Sequence, residues 1–164
     1  MSNSTSIVSV IGLGSMGMGA AKSAVSAGLT TYGFDLNPNA LMAFKEYGGH
    51  AAATLLEATK EADAVLLMLV NSDQCDQVLF GENGFARHLK GNTVVILGST
   101  TSASYAKTLN EKLQTMNLRM IDAPVSGGAV KANTGELSIM ASGPEDAFVD
   151  CQPLFDAISA KLYR

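Results

Sequence analysis

Apolar residues recur along this chain in two patterns: short unbroken runs, and longer stretches in which they return every three or four positions. Ile7-Val8-Ser9-Val10-Ile11 is the first run, and it predicts a buried strand broken at Gly12. Ser15 to Ala27 reads as a small-residue helix with Gly28 as its stop. Thr30 to Phe34 predicts a second strand, which ends in Asp35. Asn37-Pro38 then offers a helix cap followed by proline at the first helical position, and Leu41, Phe44 and Tyr47 supply the apolar stripe that Gly48-Gly49 closes. A short strand is expected near His50 to Ala53, and Thr54-Leu55-Leu56-Glu57 has the spacing of a capping box.

Ala64 to Val70 is apolar at every position, as a central strand covered on both faces would be. It ends in Asn71-Ser72-Asp73, with a helix expected over Gln74 to Leu79. Gly81 to Gly84 forms a turn into the basic stretch of Arg87, His88 and Lys90. Thr93 to Leu97 is the next strand, with a hydroxyl-rich exit from Gly98 to Ser102, and Tyr105, Leu109 and Leu113 mark an amphipathic helix. Leu118 to Ile121 predicts a strand ending in Asp122, followed by a rigid turn that becomes flexible at Ser126-Gly127-Gly128. Glu136 to Ala141 alternates with a period of two, predicting an antiparallel strand. Gly143-Pro144-Glu145 opens a helix carrying Phe148, Cys151, Phe155 and Ile158, kinked or restarted at Pro153, and Lys161 to Arg164 begins a further strand.

Strands alternate with helices without repeat or linker. The expected fold is therefore α/β and doubly wound, a mostly parallel sheet with helices on both faces and a ligand crevice at the carboxyl ends of its strands. Gly12 to Ser15, Asp35, Val70 to Asp73, Ser99 to Thr101 and Asp122 to Gly128 all fall at such ends.

Composition narrows the partners. The chain has 164 residues, enough for one well-cored domain, with 47% hydrophobic and 16% charged residues; disorder is expected only in Met1 to Thr5. A net charge of −4 without a Lys/Arg cluster argues against a nucleic-acid surface. The longest apolar run falls far short of the roughly 20 residues that cross a bilayer, and no secretory signal is visible, so no membrane association is expected. Cys75 and Cys151 lack metal-ligand spacing and a nearby His, which makes them packing residues suited to a reducing cytoplasm, with no metal site.

The chemistry concentrates at the start. Gly12, Gly14 and Gly17 have the G-x-G-x-x-G spacing, with Gly19 extending it. Gly12 lets the chain turn out of the strand, Gly14 leaves no Cβ between backbone and a pyrophosphate, and Gly17 lets the helix press on the sheet, its N-terminus aimed at the anion. Asp35 follows eighteen residues after Gly17, where a carboxylate accepts both hydroxyls of an adenosine ribose and repels a 2′-phosphate. Leu36-Asn37-Pro38-Asn39 offers no cation to neutralise such a phosphate, so NAD is expected over NADP. An S-adenosylmethionine-dependent methyltransferase also pairs a glycine turn with an acid, but lacks the third glycine that Gly17 supplies. A non-catalytic NAD-binding regulator remains a second alternative.

These residues resemble the β-hydroxyacid dehydrogenases, the family of 3-hydroxyisobutyrate dehydrogenase and tartronate semialdehyde reductase. The resemblance is carried by GLGSMGMGAA from Gly12, by DAPVSGGAVKANTGELSIMASG from Asp122, and by the Ser99-Thr100 pair, and it covers essentially the whole chain. It implies an NAD-binding Rossmann domain over residues 1–164 of an enzyme that oxidises the hydroxyl of a small hydroxy or sugar acid, a homo-oligomer at full length. Leu13, Ser15 and Met16 would join the glycines in the phosphate turn, with Asp35 as the ribose ligand. Leu69, Val70 and Gln74 would line the adenosine and nicotinamide-ribose side, and Thr100 would touch the cofactor near the nicotinamide. Ser126, Gly127 and Gly128 match the substrate-carboxylate site, which also makes sense as an anion nest, although spacing alone equally allows a plain turn. Val70 and Gly98 depart from the family pattern, which often has proline and an acid there. The family's catalytic base is a lysine on an all-helical C-terminal domain expected past Arg164, so no catalytic residue is assigned here. Lys131, His50 and His88 read as surface groups.

Overall fold

Along the first strand, β1 (Ile7–Ile11), Val8 and Val10 face one side of a sheet and Ile11 the other, and this alternation divides the whole core. The structure, a computed structural model, describes residues 5–164. Met1 to Ser4 lie outside the described residues, whereas Thr5, also expected to be irregular, is buried and donates its N–H to the Asp150 carbonyl at 2.8 Å.

Six parallel strands form the main sheet: β1, β2 (Thr30–Phe34), β3 (His50–Ala51), β4 (Ala64–Leu67), β5 (Val94–Leu97) and β6 (Arg119–Asp122), in the order β3-β2-β1-β4-β5-β6. Chain order reverses between β1 and β4, which places a crevice above their carboxyl ends. Helices α1 (Ser15–Ser26) and α2 (Pro38–Tyr47) cover the Val8 face, joined there by α6 (Gly128–Asn133) and α7 (Glu145–Ile158). The Ile11 face carries α3 (Leu55–Thr59), α4 (Ser72–Phe80) and α5 (Ala103–Gln114) through Ala58, Cys75, Leu79, Leu109 and Leu113. β4 and β5 are buried at every position, as strands sandwiched between two helical layers must be.

Local signals behave as expected where they are side-chain caps. Asn37 accepts the Asn39 N–H at 3.0 Å at the start of α2, and Thr54 accepts the Glu57 N–H at 3.1 Å at the start of α3. Glu57 reaches back to the Ala53 N–H at 3.0 Å, one residue before the cap.

Four features differ from the sequence expectation. β4 stops at Leu67 rather than Val70, because the chain leaves the sheet at Met68 and Val70 is 80% exposed. α4 starts at Ser72, two residues early, capped by Asn71. Pro153 does not restart the helix but sits inside one continuous α7, where it removes a single backbone bond while Phe148, Cys151, Leu154, Phe155 and Ile158 hold both halves against the core. The strand expected over Glu136 to Ala141 is β8 (Leu137–Met140), antiparallel to β7 (Val125–Ser126) but parallel to β9 (Ser159–Tyr163), so the second sheet is mixed. This small sheet joins the main one through backbone bonds of 2.8 to 2.9 Å between Asp122 and Ser142.

Candidate functional site

The glycine turn after β1 is shaped by what a side chain would strike. Gly12 has φ +100°, a left-handed conformation, and a Cβ there would run into the Met68 carbonyl and lie 3.1 Å from Leu69 Cδ2. A Cβ on Gly17 would collide with the Gly12 carbonyl and sit 3.2 Å from Met68 Cβ, so Gly17 lets α1 close down on the turn. A Cβ on Gly14 would meet nothing within 4 Å. Gly14 is also the cap residue of α1 and supplies no side-chain acceptor, so no side chain caps the first-turn N–H groups at the positive end of the helix dipole. Gly19 has another role: its Cβ would fall 2.6 Å from both Ala132 Cβ and the Asn133 nitrogen, so it is the contact point of α1 with α6. Ser23 strengthens that contact by donating to the Ala132 carbonyl at 2.8 Å.

Asp35, half-buried at the end of β2, accepts the Leu13 N–H at 2.7 Å through Oδ2 and the Asn37 N–H at 2.8 Å through Oδ1. Each oxygen keeps a further lone pair for a ligand hydroxyl. Leu36 beside it is 91% exposed. Leu13 turns its side chain into the core, so it reaches the site only through its backbone, and Met16 also packs partly against that core. Ser15 is exposed at the mouth.

Across the crevice, the segment after β4 is held by side-chain acceptors. Leu69 donates its N–H to Ser99 Oγ at 2.8 Å, and Val70 donates to Gln74 Oε1 at 3.0 Å. Thr100 follows the buried Ser99 and is itself exposed. After β6, the chain forms β7 and passes through Gly127 (φ +133°) and Gly128 (φ +72°) into α6. Ser126, Gly127 and Gly128 are all exposed on the same edge, and α6 starting at Gly128 is an element that periodicity did not signal. The exposed Lys131 folds its aliphatic stem over Gly127, where an added Cβ would lie 3.0 Å from Lys131 Cβ.

Asp122 is half-buried at this edge; burial raises its carboxyl above the usual range, and among the described residues no donor reaches it. The histidines lie elsewhere: His50 stacks on Tyr32 at 4.9 Å, and exposed His88 accepts from Arg87 Nε at 3.2 Å. Among the described residues no three His, Cys, Asp or Glu side chains gather as metal ligands would. No helix among them is long and apolar enough to cross a membrane.

A groove of about 590 Å³ opens at the opposite, amino-terminal edge of the sheet. Its charges are spent on one another: Lys90 pairs with Asp63 at 3.1 Å, and Arg119 with Asp146 and Asp150 at 3.0 and 2.8 Å. The Arg119 pairs tie α7 to the start of β6, and the Lys90 pair joins the entries to β4 and β5, rather than offering groups to a ligand.

Residues 7–164 match the family described as the NAD binding domain of 6-phosphogluconate dehydrogenase. An L-threonate dehydrogenase of Haemophilus influenzae is 52% identical over 165 residues, covering 100% of this chain and 55% of that protein. The mitochondrial 3-hydroxyisobutyrate dehydrogenase of Mus musculus is 34% identical over 155 residues, covering 94% of this chain and 46% of that protein. The crystal structure of a Salmonella typhimurium 3-hydroxyisobutyrate dehydrogenase superposes with a TM-score of 0.92 at 46% identity, covering 96% of this chain and 55% of that one. The chain thus spans about half the length of the relatives it matches.

Proposed function

This chain belongs to the family of the NAD binding domain of 6-phosphogluconate dehydrogenase, and from that premise we propose that it is the cofactor-binding part of an NAD-dependent dehydrogenase of small hydroxy acids, with L-threonate as the substrate. The observation that carries the cofactor reading is Asp35, fastened by the Leu13 and Asn37 N–H groups beside the glycine turn with lone pairs left over. In this reading those lone pairs accept the two ribose hydroxyls, and an anionic 2′-phosphate is repelled.

The open space over Gly14 and the uncapped start of α1 fit a pyrophosphate. In this reading Leu69, Val70 and Gln74 would line the adenosine and nicotinamide-ribose side, and Thr100 would touch the cofactor near the nicotinamide. Bound NAD supplies a hydride acceptor. Ser126, Gly127 and Gly128 hold the substrate carboxylate by backbone N–H groups and a hydroxyl. The hydroxyl proton then passes to a base outside residues 1–164, in the additional length that the relatives possess, where the resemblance puts a lysine on an all-helical domain. Lys131, with its stem folded over Gly127, stays a surface group. We place the protein in the cytoplasm, which suits its two buried free thiols.

Calorimetric titration with NAD and NADP, repeated on Asp35→Arg, tests the cofactor reading. The expected result is tighter binding of NAD, lost or moved toward NADP in the variant. Equal or tighter binding of NADP by the unsubstituted chain, or binding of neither, would overturn it. Turnover of L-threonate by the 164-residue chain alone is expected to be negligible, and steady catalysis would overturn the assignment of the base.

A further inference from the structure

The segment Met68 to Val70, between β4 and α4, uses all three of its consecutive N–H groups inside the protein. Met68 donates to the Ile11 carbonyl at 2.8 Å, Leu69 to Ser99 Oγ at 2.8 Å and Val70 to Gln74 Oε1 at 3.0 Å. The start of α1 is the opposite case, with first-turn N–H groups that no side chain caps. Anion binding therefore belongs to α1, and Met68 to Val70 has carbonyl oxygens and side chains to offer but no free N–H.

Ser99 is the hub of this arrangement. It is 3% exposed, and its single hydroxyl accepts from Leu69 N–H and from Cys75 Sγ–H at 3.6 Å while turning its proton toward the Leu67 carbonyl at 3.4 Å. One donor and two acceptor positions are then filled, linking the exits of β4 and β5 to the second turn of α4. The link reaches the glycine turn, because Met68 and Leu69 are the atoms a Cβ on Gly12 would strike.

We propose that Ser99 is a positioning residue for the dinucleotide site: its buried hydroxyl holds Met68 to Val70 in the position from which this segment meets the nicotinamide half of the cofactor. This rests on the NAD reading above.

The test compares the unsubstituted chain with Ser99→Ala and Ser99→Thr by amide hydrogen exchange and by calorimetric titration with NAD and with ADP. In Ser99→Ala the Leu69 amide is expected to exchange at least about tenfold faster while Val10 and Ile96 keep their protection; NAD binding weakens about five- to tenfold and ADP binding less than about twofold. Ser99→Thr, which retains the hydroxyl, restores the Leu69 protection and most of the NAD affinity. Unchanged NAD affinity in Ser99→Ala, an equal loss for NAD and ADP, or loss of protection across the whole sheet would each overturn the proposal. Failure of the unsubstituted chain to bind NAD would overturn the dinucleotide reading itself, and is told apart because it appears without any substitution.

Discussion

The carboxylate of Asp35 accepts the backbone N–H of Leu13 at 2.7 Å, so the acid that ends β2 is bonded directly to the glycine turn that ends β1. The acid is thus part of the turn's structure as well as the proposed ligand group. An amide at this position accepts from only one of the two N–H groups now served and turns its NH2 toward the other. Asp35→Asn should therefore lose about 1–2 kcal/mol of stability in urea unfolding and weaken NAD binding by about tenfold. A variant with full stability and reduced affinity would restrict Asp35 to ligand binding alone.

Legibility in the sequence followed the range of each interaction. Strand, glycine turn, helix and acid were readable from Ile7 to Asp35 because each announces itself within a few residues, by an unbroken apolar run, a glycine spacing or a cap. The six-strand sheet followed from the same signals. What escaped depended on partners far away in the chain. Gly19 reads as an extension of the phosphate motif, yet what it accommodates is Ala132 and Asn133, more than a hundred residues on. α6 has six residues and too short an apolar pattern to show a period. Val70 looks like strand core by hydropathy and is solvent-exposed, because strand length is set by pairing with β1 and β5, which ends at Leu67. The pinning role of Ser99 carries no local signal, since its partners Leu69 and Cys75 lie 30 and 24 residues away.

Acid sensitivity should come from two carboxylates of opposite sign. Burial pushes Asp63 upward, but the N–H groups of Ile7 and Ser6 and the Lys90 ammonium outweigh it and hold the carboxyl below its usual range. The stability it contributes is complete above the ordinary carboxylate pKa of about 4 and is lost as pH falls through the lowered value. Asp122 runs the other way: with its carboxyl raised by burial, the folded state favours the proton, so its ionisation costs stability at neutral pH and the cost disappears as pH falls through the raised value. In urea titrations from pH 7 to pH 3, Asp63→Asn should flatten the loss at the acid end. Asp122→Asn should be more stable than the unsubstituted chain at pH 7, with the difference vanishing toward about pH 4.

The thiols should be silent while the chain is folded. Burial pushes the Cys151 thiol up to about 12, despite the Thr5 hydroxyl and Arg119 pulling the other way, and burial also raises Cys75. Since the thiolate is the reactive form, Ellman's reagent should label both only at the rate of unfolding. Rapid labelling of Cys75 in native conditions would instead mean that α4 opens locally.

The glycines of one motif should separate binding from stability. Gly14 has an ordinary extended conformation (φ −70°, ψ −165°) and empty space where a Cβ would go, so Gly14→Ala should leave the urea midpoint nearly unchanged. That Cβ would occupy the position proposed for the pyrophosphate, and NAD affinity should fall by at least about tenfold. Gly19 is the reverse. A Val side chain there would push on the backbone of α6, which cannot yield as a flexible side chain would, and overpacking of this kind costs about 1–3 kcal/mol. Gly19→Val should accordingly shift the urea midpoint down while ADP, proposed to engage Asp35 and the turn rather than α6, keeps its affinity for the folded fraction. Since α6 begins at Gly128, the same variant should also disturb the exposed Ser126-Gly127-Gly128 turn, readable as faster amide exchange there than in β1. Loss of ADP affinity in Gly19→Val with an unmoved midpoint would return Gly19 to the phosphate site.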